Sequence, residues 1–312
     1  MVQEMTDPDV RVAELLRLAR QHGFELSAAR PDLDESGADF LVAHANDNAG
    51  MPWIAKAPRR PDVVTRADAE RRALLLLRDH LPVEVPDWRL FSSDLIAYPR
   101  VPGHPAAVID DQLGDWVWRF DREAPPDAFL DSLAAGLATL HRIDPSLAVD
   151  AQLIVLHPDD IRAATAERVD RARDGLTIPD GVWRRWHEWI GDDGSWPSRA
   201  VLVHGDLHPG HVLVDDTGRV TGILDWSEAH VGDPATDFSL LYASVGLEAL
   251  SALLGRYTAA GGHVWPRMAH HIVERWCAYP AVIADFARLT GDAAPMQLAQ
   301  ALVDQTAAGM AS

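Results

Sequence analysis

The chain has 312 residues, 47% hydrophobic and 24% charged, which is the composition of a globular protein with room for two separately cored lobes. Its 28 basic and 47 acidic residues leave a formal charge of −19, which excludes DNA or RNA as the expected partner and suits a cationic small molecule. One cysteine, Cys277, rules out an internal disulfide or a multi-cysteine metal site. Met1–Val10 is acidic without an apolar core, so no secretory signal is expected there. No apolar run is read as reaching the ~18–20 residues of a membrane span, and a cytoplasmic monomer is expected.

In chain order, residues 7–21 read as an amphipathic helix that ends near Gly23. Phe40–His44 and Trp53–Ala57 read as strands joined by a hairpin loop at Asn46–Gly50. Thr65–Asp68 has the form of a capping box and is expected to open a helix running to His80. Two short strands follow, Trp88–Phe91 and Leu95–Tyr98. Prolines and a glycine in Pro99–Gly103 then break the pattern.

Beyond that break the periodicity is mostly helical: Phe129–Ile143, then segments near 158–173, 180–191, 235–245, 247–259, 266–289 and 293–308. Trp183, Trp186 and Trp189 recur at three-residue spacing and predict one buried helix stripe. Strands are expected only at Val201–Val203, Val212–Val214 and Val220–Leu224, the last two around the turn Asp215–Gly218. The predicted fold class is α+β and bilobal: a β-rich N-terminal lobe over residues 1–98, a hinge at 99–103 and a helical lobe over 104–312. A ligand site is expected in the cleft between them.

One run stands out chemically. His204-Gly205-Asp206-Leu207-His208-Pro209-Gly210-His211 precedes the Val212 strand, and Gly222-Ile223-Leu224-Asp225 closes the next one. Asp225 ends an apolar strand, where a carboxylate is costly unless it is paired or binds metal. Phosphoryl transfer needs such a kit, with one group for the attacking hydroxyl and others for a metal. The same run also reads as a zinc site built from His204, Asp206, His208 and His211.

The order of these parts resembles the protein-kinase-like antibiotic phosphotransferases, and the wording of the run resembles their macrolide 2′-phosphotransferase branch. That resemblance covers nearly the whole chain and implies a kinase-like fold. It makes Asp206 the catalytic residue that takes the hydroxyl proton, and His211 and Asp225 the metal ligands, His211 standing where most relatives carry Asn. It makes His204 a loop-stiffening residue, bonded to Asp237, and leaves His208 between a structural and an orienting role. Lys56 matches the strand lysine that meets nucleotide phosphates, and Glu70, fourteen positions on, is its helix partner, with Asp68 the competitor. The Gly-rich phosphate loop is missing; Ser36 and Gly37 are the substitutes expected to offer backbone N–H groups. Ile96 and Tyr98, leading into the hinge, are expected to contact the purine through their backbone.

For the acceptor, Trp276–Phe286 is aromatic and apolar, with Trp276, Tyr279, Pro280 and Phe286 as its wall and Pro280 as a helix kink. Asp285 and, two residues before the stretch, Glu274 are the only acids available there, which favours one amino group on a large apolar ring over a polycationic aminoglycoside. The expected reaction is therefore Mg²⁺-dependent transfer from GTP (or ATP) to the 2′-hydroxyl of a macrolide amino sugar. A kinase of another small alcohol (an aminoglycoside, choline or homoserine), a zinc-dependent hydrolase and an inactive nucleotide-binding module are the alternatives.

Overall fold

The computed structural model describes residues 8–27, 33–34, 39–110 and 115–311. Helix α1 (Pro8–Gln21) leads into short strands β1 (Leu26–Ser27) and β2 (Leu33–Asp34), then β3 (Phe40–Asp47), β4 (Pro52–Pro58) and α2 (Pro61–Leu77). Strands β5 (Leu90–Phe91) and β6 (Ile96–Pro99) complete an antiparallel sheet in the order β1-β3-β4-β6-β5, with β2 also paired to β3. Strand β4 is buried on both faces, and period-two alternation divides its side chains between two jobs. Trp53, Ala55 and Ala57 join Leu41 and Ala43 of β3 in a core closed by Val12 and Leu15 of α1. Ile54 and Lys56 face the other way, toward α2.

Helix α2 begins at Pro61, four residues before the expected capping box. Proline at the first helical position has its backbone angle preset and no N–H to satisfy, and no side chain caps this end. Asp68, the expected competitor for Lys56, is instead paired with Arg72 on its own helix.

After the Pro99–Gly103 segment, β7 (His104–Pro105) adds to β11 (Val212–Val214), which forms a hairpin with β12 (Val220–Ile223). The chain thus passes straight from the N-terminal sheet onto the expected hairpin. Gly103 makes this junction possible. Its φ is 110°, and a Cβ there would stand 2.3 Å from Thr221 Oγ1.

Strand content in this half exceeds the expectation. Strands β8 (Ala107–Asp110) and β9 (Asp115–Trp118) form a second hairpin, and β10 (Val201–Val203) pairs with β13 (His230–Gly232). The Ala107–Trp118 hairpin did carry a signal: two β-branched and aromatic runs around Asp110-Asp111-Gln112-Leu113-Gly114.

The helices α3 (Asp127–Leu140), α5 (Pro158–Ala172), α6 (Asp180–Gly191), α7 (Thr236–Ala259), α8 (Met268–Cys277), α9 (Tyr279–Thr290) and α10 (Ala293–Ala311) fall on the expected segments, and the short α4 (Pro145–Asp150) was not expected. Gly246, at φ 81°, interrupts α7 where two helices were expected to meet. An 18-residue window of α7 has mean hydropathy 1.5, so this helix is, contrary to expectation, long and apolar enough by length and composition to cross a membrane. Here it packs on α3, with Phe238, Leu241, Leu250 and Leu253 in the main core. The tryptophan stripe is realised in part: Trp186 and Trp189 are buried, while Trp183 is half-buried with the Arg173 guanidinium 3.6 Å over its ring.

The expected kink at Pro280 is a break between two helices. Helix α8 ends at Cys277, and Pro280 sits in the first turn of α9, where it costs no hydrogen bond.

Candidate active site

The catalytic loop hangs on one carboxylate. Asp237, fully buried at the start of α7, accepts the backbone N–H groups of His204 and Gly205, each at 2.9 Å. His141 Nε2 lies 3.0 Å from the same carboxylate, and Tyr257 Oη is 2.8 Å from His141 Nδ1. Burial opposes ionisation of Asp237, but His141 and these N–H groups outweigh it and hold the carboxyl below its usual range. Gly205 must be glycine, since its φ is 92° and a Cβ would meet the Glu228 carbonyl oxygen at 2.3 Å.

His204 braces the loop, though the expected bond from its ring to Asp237 is made by its backbone N–H. The imidazole Nδ1 accepts the Asp206 N–H at 3.2 Å, so Nε2 carries the proton and donates to the Leu224 carbonyl at 2.8 Å. The ring is fully buried, and desolvation lowers its pKa to about 4. A neutral imidazole therefore ties the loop carrying Asp206 to the strand end carrying Asp225.

His211 is fixed in a complementary way. Its Nδ1 is 3.0 Å from the Asp206 carbonyl oxygen, a contact that requires Nδ1–H to donate and leaves the Nε2 lone pair bare. That nitrogen lies 3.6 Å from Asp225 Oδ2, too long for a hydrogen bond but suited to two groups sharing one ion. Asp225 has a left-handed backbone, φ 59°, a conformation that costs a side-chain-bearing residue about 1–3 kcal/mol and is concentrated at functional sites. Burial pushes its carboxyl up, but His211, the Ser227 hydroxyl at 2.7 Å and the Lys56 ammonium bring it down to about 2. The side chain is nonetheless 49% exposed, so a ligand can reach it. Asp206 behaves oppositely: burial raises its carboxyl above the ordinary value, opposed by His211 and reinforced by the Asp225 and Glu228 charges.

Lys56 and Glu70 meet as expected, with Nζ 3.4 Å from Oε2 in a buried pair. Three rings surround the ammonium: Phe40 at 4.3 Å, Trp88 at 4.5 Å and Tyr98 at 5.9 Å. Burial raises the Glu70 carboxyl, against which Lys56 acts, and Glu70 also accepts the Trp226 N–H beside Asp225. The N-terminal sheet and the β11–β12 hairpin are joined at this point.

Ile96 and Tyr98 lie opposite Lys56 and Ile54 in the ladder, with their side chains buried on the lysine side. Ile96 is corrected in one respect. It pairs with β4 on one side and β5 on the other, so its backbone offers no open edge to a purine. Ser36 and Gly37 lie outside the described residues.

Around Asp206, Trp276 and Tyr279 stack at 5.5 Å. Burial raises the Tyr279 phenol pKa, with the Asp206 and Glu228 charges adding to it, which puts the phenol beside the catalytic loop. Pro280 is buried and offers no open wall. Phe286 is exposed two turns further along α9, roughly 10 Å by helical rise. Both acids of this stretch are already used. Arg185 holds Glu274 through two bonds at 2.8 Å, and Arg168 and Arg171 hold Asp285.

The β8–β9 hairpin was not among the expected site elements. Trp116 lies 5.3 Å from the His208 ring, its exposed cross-strand partner Ile109 shares its face, and Val108 and Val117 are exposed on the other face of the hairpin. The larger surface hollows, about 680 Å³ beside Arg78 and Arg219 and about 600 Å³ beside Arg17 and Arg60, include neither Asp206 nor Lys56.

Comparison with known proteins agrees with this arrangement. Residues 33–271 match the phosphotransferase enzyme family (APH). An uncharacterised protein of Bacillus subtilis (strain 168), YcbJ, is 44% identical over 279 residues, which is 89% of this chain and 91% of that protein. A solved structure of a macrolide 2′-phosphotransferase type I is 39% identical with a TM-score of 0.86, covering 94% of this chain and 97% of its own. The macrolide 2′-phosphotransferase MphH from Brachybacterium faecium, solved as apoenzyme, is 38% identical with a TM-score of 0.85 and the same coverage. The zinc-hydrolase alternative has no place in this family. From its sheet, its hairpin and its match over 33–271, the chain belongs to the phosphotransferase enzyme family and has the protein-kinase-like fold of that family.

Proposed function

We propose that this phosphotransferase moves the γ-phosphoryl group of GTP (or ATP) to the 2′-hydroxyl of the amino sugar of a macrolide. One observation carries the reading. Trp116 of the β8–β9 hairpin lies against His208 of the loop that carries Asp206, and Tyr279, stacked with Trp276, is close enough to feel the Asp206 charge, while Glu274 and Asp285 are already neutralised by arginines. A large lactone ring with one amino group suits such a surround, whereas an aminoglycoside needs several unengaged acids. The similarity to two macrolide 2′-phosphotransferases over 94% of the chain supports it. In this reading residues 1–98 serve the nucleotide, 99–103 act as hinge and 104–312 carry catalysis and the acceptor.

In this mechanism the substrate hydroxyl donates a hydrogen bond to the Asp206 carboxylate, which orients the oxygen toward the γ-phosphorus. As the new O–P bond forms and the bond to the departing nucleoside diphosphate breaks, the hydroxyl proton passes to Asp206. Lys56, aimed by Glu70, holds the phosphates, and Ile54, Ile96 and Tyr98 line the purine side. His211 and Asp225 fit a divalent cation, the one through a bare Nε2 and the other through a carboxylate ionised down to about pH 2. Mg²⁺ bound there would neutralise charge on the phosphates.

The test is a nucleoside diphosphate release assay with GTP and with ATP against erythromycin, a larger-ring macrolide, kanamycin and choline. Turnover is expected with the macrolides and is lost by about 10²–10⁴-fold in Asp206→Ala with the fold intact. Turnover confined to kanamycin or choline would refute the macrolide reading, and unchanged turnover in Asp206→Ala would refute the mechanism.

A further inference from the structure

The phosphoryl-transfer reading leaves His208 without a task. Its ring lies 3.7 Å from the ring of His211 and 5.3 Å from that of Trp116, tilted to both, so His208 sits between them. One ligand atom each from Asp206, His208 and His211 lies within 4.8 Å of the other two. Asp225 Oδ2, 3.6 Å from His211 Nε2, brings a fourth donor from the end of the next strand. Two imidazoles and two carboxylates make an N₂O₂ set. Zinc takes such a set tetrahedrally at about 2.0–2.2 Å, so the side chains must draw together around the ion. Mg²⁺ prefers oxygen ligands and retains its waters, so the second imidazole adds nothing for it.

We propose that the catalytic loop is also an inhibitory zinc site, in which Asp206, His208 and His211 hold the ion with Asp225 completing the shell. The consequence rests on the phosphoryl-transfer reading: a carboxylate bound to zinc cannot accept a hydroxyl proton, and His211 is taken from the nucleotide's cation. His208 Nδ1 currently accepts the Gly210 N–H at 3.1 Å, and zinc has only that one long bond to displace. The inhibition is therefore reversible by chelation.

Isothermal titration of zinc into the full chain without nucleotide tests the site directly, using wild type, His208→Asn, His208→Phe and Asp206→Asn. Asn keeps an acceptor for the Gly210 N–H, and Phe keeps a ring against Trp116 and His211, so a merely structural role for His208 would separate the two. The expected result is one wild-type zinc site whose affinity falls at least about tenfold in all three variants. In both His208 variants the rate measured in magnesium, whatever its level, loses its sensitivity to zinc. Wild-type zinc affinity in both His208 variants overturns the proposal, as does zinc bound at this site without loss of rate. Binding is read without turnover, so failure of the macrolide reading leaves the zinc result standing on its own.

Discussion

Two charged assemblies meet in this molecule, and they are built differently. The catalytic loop is held by backbone groups: Asp237 accepts two main-chain N–H groups, His204 bridges the Asp206 N–H to the Leu224 carbonyl, and His211 is oriented by the Asp206 carbonyl. The Lys56–Glu70 pair is held by side chains, with one group on β4 and one on α2, pressed among Phe40, Trp88 and Tyr98. A backbone-anchored loop fixes donor and acceptor positions within tenths of an ångström, as proton transfer demands. The side-chain pair, proposed to place one cation beside flexible phosphates, can tolerate more play.

The comparison breaks most visibly at Asp237. Asp237→Ala strands two buried N–H groups and His141, so thermal or urea unfolding should show a loss of about 3–5 kcal/mol. The misplaced Asp206 should cost roughly a hundredfold in kcat with little change in nucleotide KM. A variant with wild-type kcat would show that the loop holds itself.

Acid should loosen the same loop. Buried His204 keeps its pKa near 4 in the folded state against 6.5 for the free side chain, so between those values the unfolded chain binds the extra proton. Stability should therefore fall as pH drops from about 6.5 toward 4, by a contribution on the order of 3 kcal/mol. In His204→Asn this component of the pH slope should vanish; an unchanged slope would assign it to other groups.

On the other side of the comparison, Lys56→Met should raise nucleotide KM by about ten- to a hundredfold, the worth of a charge-assisted contact. It also leaves Glu70 buried without its cation. Adding Glu70→Gln should restore stability while activity stays low. If the double variant is no more stable than Lys56→Met, the pair is not an isolated unit. The smallest effect is expected from Trp116→Ala, which belongs to neither assembly: macrolide KM should rise severalfold at constant nucleotide KM, as steady-state kinetics would show.

Much of this was legible in the chain because it is local. His204 to Asp225 spans one loop and one hairpin, so spacing alone sets which groups share a turn. Lys56 and Glu70 could be matched because β4 and α2 are consecutive elements. Asp237 was named as a partner, yet its bond proved to be to the backbone of His204, since a buried ring nitrogen could satisfy Leu224 but two loop N–H groups had no other acceptor. The β8–β9 hairpin was readable from its turn residues but was absorbed into a supposedly helical half. Pro280 was read as a kink, although a helix start accommodates proline at no cost.

The sequence by itself determined the fold class, the grouping of Asp206, His211 and Asp225, and the pairing of Lys56 with Glu70, because periodicity and short spacing encode neighbours along one or two elements. Only the tertiary structure decided what surrounds them. It brought Trp116 against His208, spent Glu274 and Asp285 on arginines, and closed Ile96 inside a ladder. Those outcomes depend on contacts between residues far apart in the chain, whose pairing is set by packing and charge rather than by any local pattern.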